Sequence, residues 1–133
     1  MKRFVVDCQG ASSFADFVNA MNDGFIRSVG GEWTGNLDAF NDYLKWPDEG
    51  EYQLEIVASA RCRAALGHEA MAKWLTEKLL ICHPSNTAGV RADLAAAEEA
   101  RGKTLFEVVC EIIAEHDHVH VILTPDVREQ ADY

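Results

Sequence analysis

Apolar positions along the chain recur with two different periods. Three short runs, Phe4 to Val6, Tyr52 to Val57 and His118 to Leu123, are rich in Val, Ile and aromatic residues and read as strands. Between them the spacing is helical. Phe14, Phe17, Val18 and Met21 fall at i, i+3, i+4 and i+7, which predicts a helix from Phe14 to Asp23 with Ser13 as its cap and Gly24 as its stop. A second helix begins at Asn36, whose side chain can bond the free N–H groups of the first turn, and it carries Leu37, Phe40 and Leu44 on one face. A third spans Arg63 to Ile81 with Met71, Trp74, Leu75 and Leu79 inward, and His83-Pro84-Ser85-Asn86 breaks the chain after it. The run RADLAAAEEARG predicts a short helix ending near Gly102. In the last helix, Thr104-Leu105-Phe106-Glu107 forms a capping box ahead of the apolar face Leu105, Val108, Val109, Ile112 and Ile113. Glu107, Glu111 and Glu115 line its outside. Strands separated by helical crossovers predict an α/β domain: a small three-stranded parallel sheet packed with helices, spanning 1–125, followed by a polar tail at 126–133.

Composition narrows the partners. At 133 residues the chain suits one domain with a real core. Its 22 acidic against 12 basic residues give a net charge of −10, which argues against nucleic acid or an anionic membrane as direct partner. The same charge suits solubility, or rapid association with something basic. The four cysteines are dispersed and form no CxxC pair, the pattern of reduced thiols in a cytoplasmic protein. The start MKRFVVDCQG loses its apolar run at Asp7, so it is not expected to act as a secretory signal, and no apolar segment approaches the ~20 residues of a membrane helix.

Candidate chemistry concentrates in WTGNLDAFNDYL, residues Trp33 to Leu44. At ~100° per residue, Asp38 and Asp42 fall together, almost opposite the apolar face. A first-turn aspartate such as Asp38 is favoured by the helix dipole. Asp42 lies beyond that reach and adds an i,i+4 repulsion of roughly 0.2–0.5 kcal/mol, which Lys45 is placed to relieve. On local physics alone the pair reads as an ordinary solvated face.

This run resembles the signature of the barstar family of ribonuclease inhibitors: an aromatic residue and glycine, then Asn-Leu-Asp-Ala, an apolar residue, any residue, Asp, any residue, Leu. The order of elements is similar too, although only these twelve residues are specific. The resemblance implies a barstar-like fold and an inhibitor or immunity protein. In the family, the signature helix and the loop before it plug the active site of a small basic ribonuclease such as barnase. The corresponding partner-binding residues are Asp38 and Asp42, which meet the cations that otherwise hold RNA phosphate, with Gly35, Asn36, Trp33 and Asn41 around them. A glutamate of the last helix contributes in the family; an ungapped match back from the final strand selects Glu111, with Glu107 or Glu115 its counterpart if the register shifts. Of the two flanking tryptophans, Trp33 is expected in the contact loop and Trp46 part-buried. Asn41 stands where the best-known member has an aromatic contact and Glu32 where it has a tyrosine, and 64–103 is longer than in the smallest members. These departures bear on which ribonuclease is bound, a toxin domain among the possibilities. The implied partner is a basic ribonuclease bound 1:1, with no nucleic acid or membrane involved and a monomer as the working expectation for the free chain.

Rival readings are weaker. Gly102-Lys103-Thr104 ends like a P-loop, but Ala97 stands where the first glycine is required and no strand precedes it. His116, His118 and His120 alternate near the last strand, yet a zinc site needs a second ligand cluster that the sequence lacks. Asp38 and Asp42 as a catalytic acid and base require a pocket or burial that an exposed helix face does not supply. No enzyme activity, cofactor or metal is therefore expected. An acidic module that binds another basic protein without inhibiting a nuclease is the alternative.

Overall fold

The computed structural model describes residues 1–48 and 50–126, so the expected tail lies outside the described residues beyond Asp126. Strands β1 (Lys2–Asp7), β2 (Tyr52–Val57) and β3 (Val119–Thr124) form one parallel sheet in the order β1-β2-β3. Register sets Phe4 beside Leu54, Val6 beside Ile56 and Tyr52 beside Val119, and all six are buried. The α/β class and the three-stranded parallel sheet agree with the sequence pattern. The opposite face is mixed: Val5, Glu55 and Ile122 share a row. Glu55 is only 3% exposed, with Arg3 Nη1 at 3.5 Å, and it accepts from Thr124 Oγ1 at 2.7 Å. One carboxylate thereby ties together all three strands.

Helix α1 (Phe14–Met21) starts where expected, with Ser13 Oγ accepting from the Asp16 N–H. Gly24 does not stop it. The chain winds on through a π-helical turn (Asn22–Ile26) and a 3-10 turn (Arg27–Val29), and ends at Gly30 with φ +92°. Burial explains the difference: Phe25 and Ile26 are both 0% exposed. Each gains about 1.5–3 kcal/mol from leaving water, against about 1 kcal/mol lost by a helical glycine. Gly24 is there for close approach, since a Cβ on it would lie 2.1 Å from the Val5 carbonyl oxygen.

Helix α2 (Leu37–Tyr43) is the short helix expected after Asn36. The single helix expected over Arg63 to Ile81 is instead two, α3 (Ser59–Ala65) and α4 (His68–Leu79). Leu66 lies at the break, fully buried, and its carbonyl accepts the Phe106 N–H at 2.8 Å. A continuous helix would have carried Leu66 away from that contact. Helix α5 (Thr87–Glu98) begins and ends earlier than expected, and Ala100 (φ +57°) and Gly102 (φ +76°) turn the chain towards α6 (Leu105–Ala114). The capping box of Thr104 and Glu107 is present in both directions. No helix among the described residues is long and apolar enough to cross a membrane.

Gly24→Ala is expected to destabilise the fold by roughly 3 kcal/mol, because backbone rather than a movable side chain blocks the new methyl. Gly10→Ala, which meets nothing within 4 Å, should leave the thermal midpoint nearly unchanged. Paired melting curves check both.

Candidate functional site

Seven residues make α2, too few to hold a helix alone. Its underside supplies the hold. Phe40 and Leu44 are 0% exposed and Leu37 8%, all within the main core. At the N-terminal end, Asn36 Oδ1 accepts the Ala39 N–H at 2.9 Å, as expected of the cap. Trp33 Nε1–H donates to the Asn36 carbonyl at 2.7 Å, and its indole lies among Phe14, Phe17 and Phe40 with ring centroids 5.0–6.1 Å apart. Gly35, at φ +110°, makes the turn between them and has Phe14 beneath it.

The loop before α2 is locked by one buried side chain. Asn22, 1% exposed, donates through Nδ2 to the Trp33 carbonyl at 2.8 Å and accepts the Trp33 N–H on Oδ1 at 2.7 Å. Tyr43 Oη–H donates to the Glu32 carbonyl at 2.9 Å, fixing the same loop from the other side. At the C-terminal end, Tyr52 Oη–H and His118 Nε2–H both donate to the Leu44 carbonyl, at 2.6 and 3.0 Å. His116 Nε2–H donates to Asn41 Oδ1 at 2.7 Å.

Asp38 and Asp42 point the other way, both exposed and one turn apart on the same face. Among the described residues neither carboxylate has an ion pair or a side-chain hydrogen bond, and Lys45 does not neutralise Asp42. The pair therefore offers two carboxylates on a fixed support, able to accept charge-assisted bonds from Arg or Lys without rearranging.

The other expected contact residues divide. Asn36 is exposed beside the aspartates, while Asn41 is half-buried with its amide oxygen already engaged by His116. Gly35 contributes backbone shape. The Trp33 side chain, expected in the contact loop, is 2% exposed, a core side chain carrying the helix, whereas Trp46 is 49% exposed and stacks edge-on against Tyr43 at 4.7 Å. The Trp33 indole turns inward because a ring enclosed by three phenylalanine rings gains far more from burial than from a place on the loop surface. Glu111 is exposed but joined to Lys103 at 2.9 Å. Glu115, one turn further along, is near enough to α2's support to act on His116.

Sequence reasoning missed Asn22. The signal was available: it lies four residues after Val18, a polar residue on the apolar stripe of α1. It also noticed the alternating histidines without finding their use. His116 and His118 hold α2, and His120 meets Glu51 at 2.8 Å. Among the described residues no group of three His, Cys, Asp or Glu side chains is placed to hold a metal ion.

Comparison of the chain with protein-family models, curated proteins and solved structures finds no match.

Asn22→Ala is expected to destabilise the fold by roughly 2–4 kcal/mol, since it leaves a buried N–H and a buried carbonyl of Trp33 without partners. Amide exchange at Trp33 should rise with it. Burial, the neighbouring His118 and Lys45 all hold the His116 imidazole below its ordinary value, and Glu115 only partly opposes them. Because the unfolded chain then takes up the proton first, the stability that His116 contributes is present above about pH 6.5 and is lost as pH falls below it. The thermal midpoint of the wild type should therefore drop more between pH 7 and 5 than that of His116→Gln.

Proposed function

We propose that the chain is a barstar-like inhibitor of a small basic ribonuclease, acting in the cytoplasm of the cell that makes the enzyme. The observation that carries this reading is the pair of unneutralised carboxylates, Asp38 and Asp42, on the exposed face of a helix whose other face is fully buried. Its sequence, Asn36-Leu37-Asp38-Ala39 with Asp42 and Leu44 following, resembles the signature of that family. The two carboxylates stand in for successive RNA phosphates and meet the cations lining the enzyme's cleft. Asn36 and the Glu32 to Gly35 loop complete the contact, with Glu115 or Glu111 at its edge.

Physical chemistry supports the assignment in three ways. Carboxylates on a short, stiff helix lose little conformational entropy on docking. Desolvated Arg–carboxylate pairs are stronger than exposed ones and frequently bidentate. A net charge of −10 speeds encounter with a cationic enzyme, and salt weakens that steering. The reading requires no catalysis and no cofactor of the inhibitor itself. Exposed carboxylates one turn apart on a helix face are suited to pairing with cations rather than to acid–base turnover.

The test is stoichiometric inhibition of barnase, the type enzyme of this class. One equivalent of the chain should abolish RNA cleavage at low salt. Asp42→Ala should weaken binding by about 2 kcal/mol or more, roughly thirtyfold, whereas Asp48→Ala should change it little, with circular dichroism unaltered in both. Equal effects of the two substitutions would place the docking surface elsewhere. Binding without inhibition would favour an acidic interaction module.

A further inference from the structure

Two of the four cysteines, far apart in sequence, meet in the core at the corner where the sheet hands the chain to α3. Cys8 continues the inward row of Phe4 and Val6 from β1. Its N–H donates to the Val57 carbonyl at 3.0 Å, one step beyond the last pair of the β1–β2 ladder. Cys62, in α3, donates its N–H to the Ala58 carbonyl at 3.3 Å. The two backbones therefore hang from neighbouring carbonyls of one corner, and both side chains are 0% exposed. Between them the Cys62 S–H donates to the Cys8 sulfur.

That contact separates the pair from ordinary core cysteines, which pack as small hydrophobes. Two cysteines can be bridged without moving the backbone only where their Cβ vectors converge, and thiols already bonded to each other meet that condition. The bond from Cys62 also holds the Cys8 thiol below its ordinary value in spite of burial, whereas giving that bond, together with burial, pushes Cys62 up. Cys8 is thus the sulfur suited to attack and Cys62 the one suited to resolve. The corner has a way of opening. Helix α3 has only seven residues and no side-chain cap, and it starts from Ala58 at φ +58°, a left-handed conformation that strains an alanine. Fraying of its first turn admits a water-sized oxidant.

We infer that Cys8 and Cys62 are a latent disulfide, closed by hydrogen peroxide and reopened by thiols, that locks the end of β1 to α3. The Cys8 thiolate attacks the O–O bond and becomes a sulfenic acid, while the departing hydroxide takes up a proton and leaves as water. The Cys62 thiol then attacks that sulfur, the S–O bond breaks, and a second water leaves. Two thiols and one peroxide give one disulfide and two waters; the sulfurs together lose two electrons and the peroxide gains them. The lock sits at the end of β2 opposite Tyr52, whose hydroxyl braces α2. Closing it ties the scaffold together away from the face that carries Asp38 and Asp42.

The experiment treats the folded, fully reduced chain with hydrogen peroxide and reads the intact mass, the peptide map without reductant and the melting curve. The expected result is a mass lower by two hydrogens and a peptide pair joined through Cys8 and Cys62. The thermal midpoint should rise by roughly 5–15 °C and return to its start with dithiothreitol. Cys82→Ser should keep the bond and the shift, and Cys62→Ala and Cys8→Ala should each lose both; the wild-type map decides alone should either alanine variant fail to fold. Cys110 of α6 is the competing partner, half-buried and near enough to push Cys62 up through its charge. A Cys62–Cys110 link in place of Cys8–Cys62, chains joined through Cys82, or thiols that react only once the chain is unfolded would each overturn the inference. So would a Cys8–Cys62 bond that leaves the midpoint unchanged or lowers it.

Discussion

The direction in which α2 presents its charges depends on the burial of Trp33. A helix of seven residues has no stability of its own in water, so its position is dictated by what it rests on. The Trp33 indole fills the space under the first turn, and its N–H reaches the Asn36 carbonyl. Asn22 clamps the backbone of the same residue by two hydrogen bonds. Each such bond contributes about 1 kcal/mol, and the buried ring contributes several times that. The repulsion between Asp38 and Asp42, a few tenths of a kcal/mol, is small beside this. The fold tolerates two adjacent like charges because their support is stronger than their mutual dislike.

With 22 acidic and 12 basic residues, many carboxylates must lack a cation, so being unpaired does not single out a site. What distinguishes Asp38 and Asp42 is rigidity combined with exposure. Elsewhere several carboxylates are engaged by cations: Asp23 and Glu32 by Arg27, Glu99 by Arg101, Glu111 by Lys103. Exposed pairs of that kind contribute little to stability, but they spread the negative charge unevenly over the surface. The ridge on α2 holds two carboxylates in a fixed place with no ion-pair partner among the described residues.

Much of this was legible in the sequence, for reasons that differ by element. The strands, α1's face, α2 with its Asn36 cap and the capping box of α6 follow from periodicity and cap chemistry, which act over a few residues. Gly24 misled because a glycine inside a helix and a glycine ending one look alike; only the nearness of Val5 tells them apart. The break at Leu66 depends on Phe106, forty residues away in sequence, and no local rule sees it. Trp33 shows the same limit at the site. Its position next to the acidic helix was evident, but whether an indole faces water or core depends on Phe14 and Phe17, which come from another element. The buried Glu55 is a third case, its alternation masked by a strand that reads as apolar throughout.

The paired ends of the α4–α5 hairpin have a consequence for how such a molecule diversifies. Because entry and exit sit one hydrogen bond apart, the strand order, the Trp33 post and the acidic ridge place almost no geometric demand on what is spliced between them. That stretch can change in length at its far end, where α4 passes to α5, so long as Met71 and Leu75 keep their places in the core. Change in that stretch is then uncoupled from the sheet and from the support of α2.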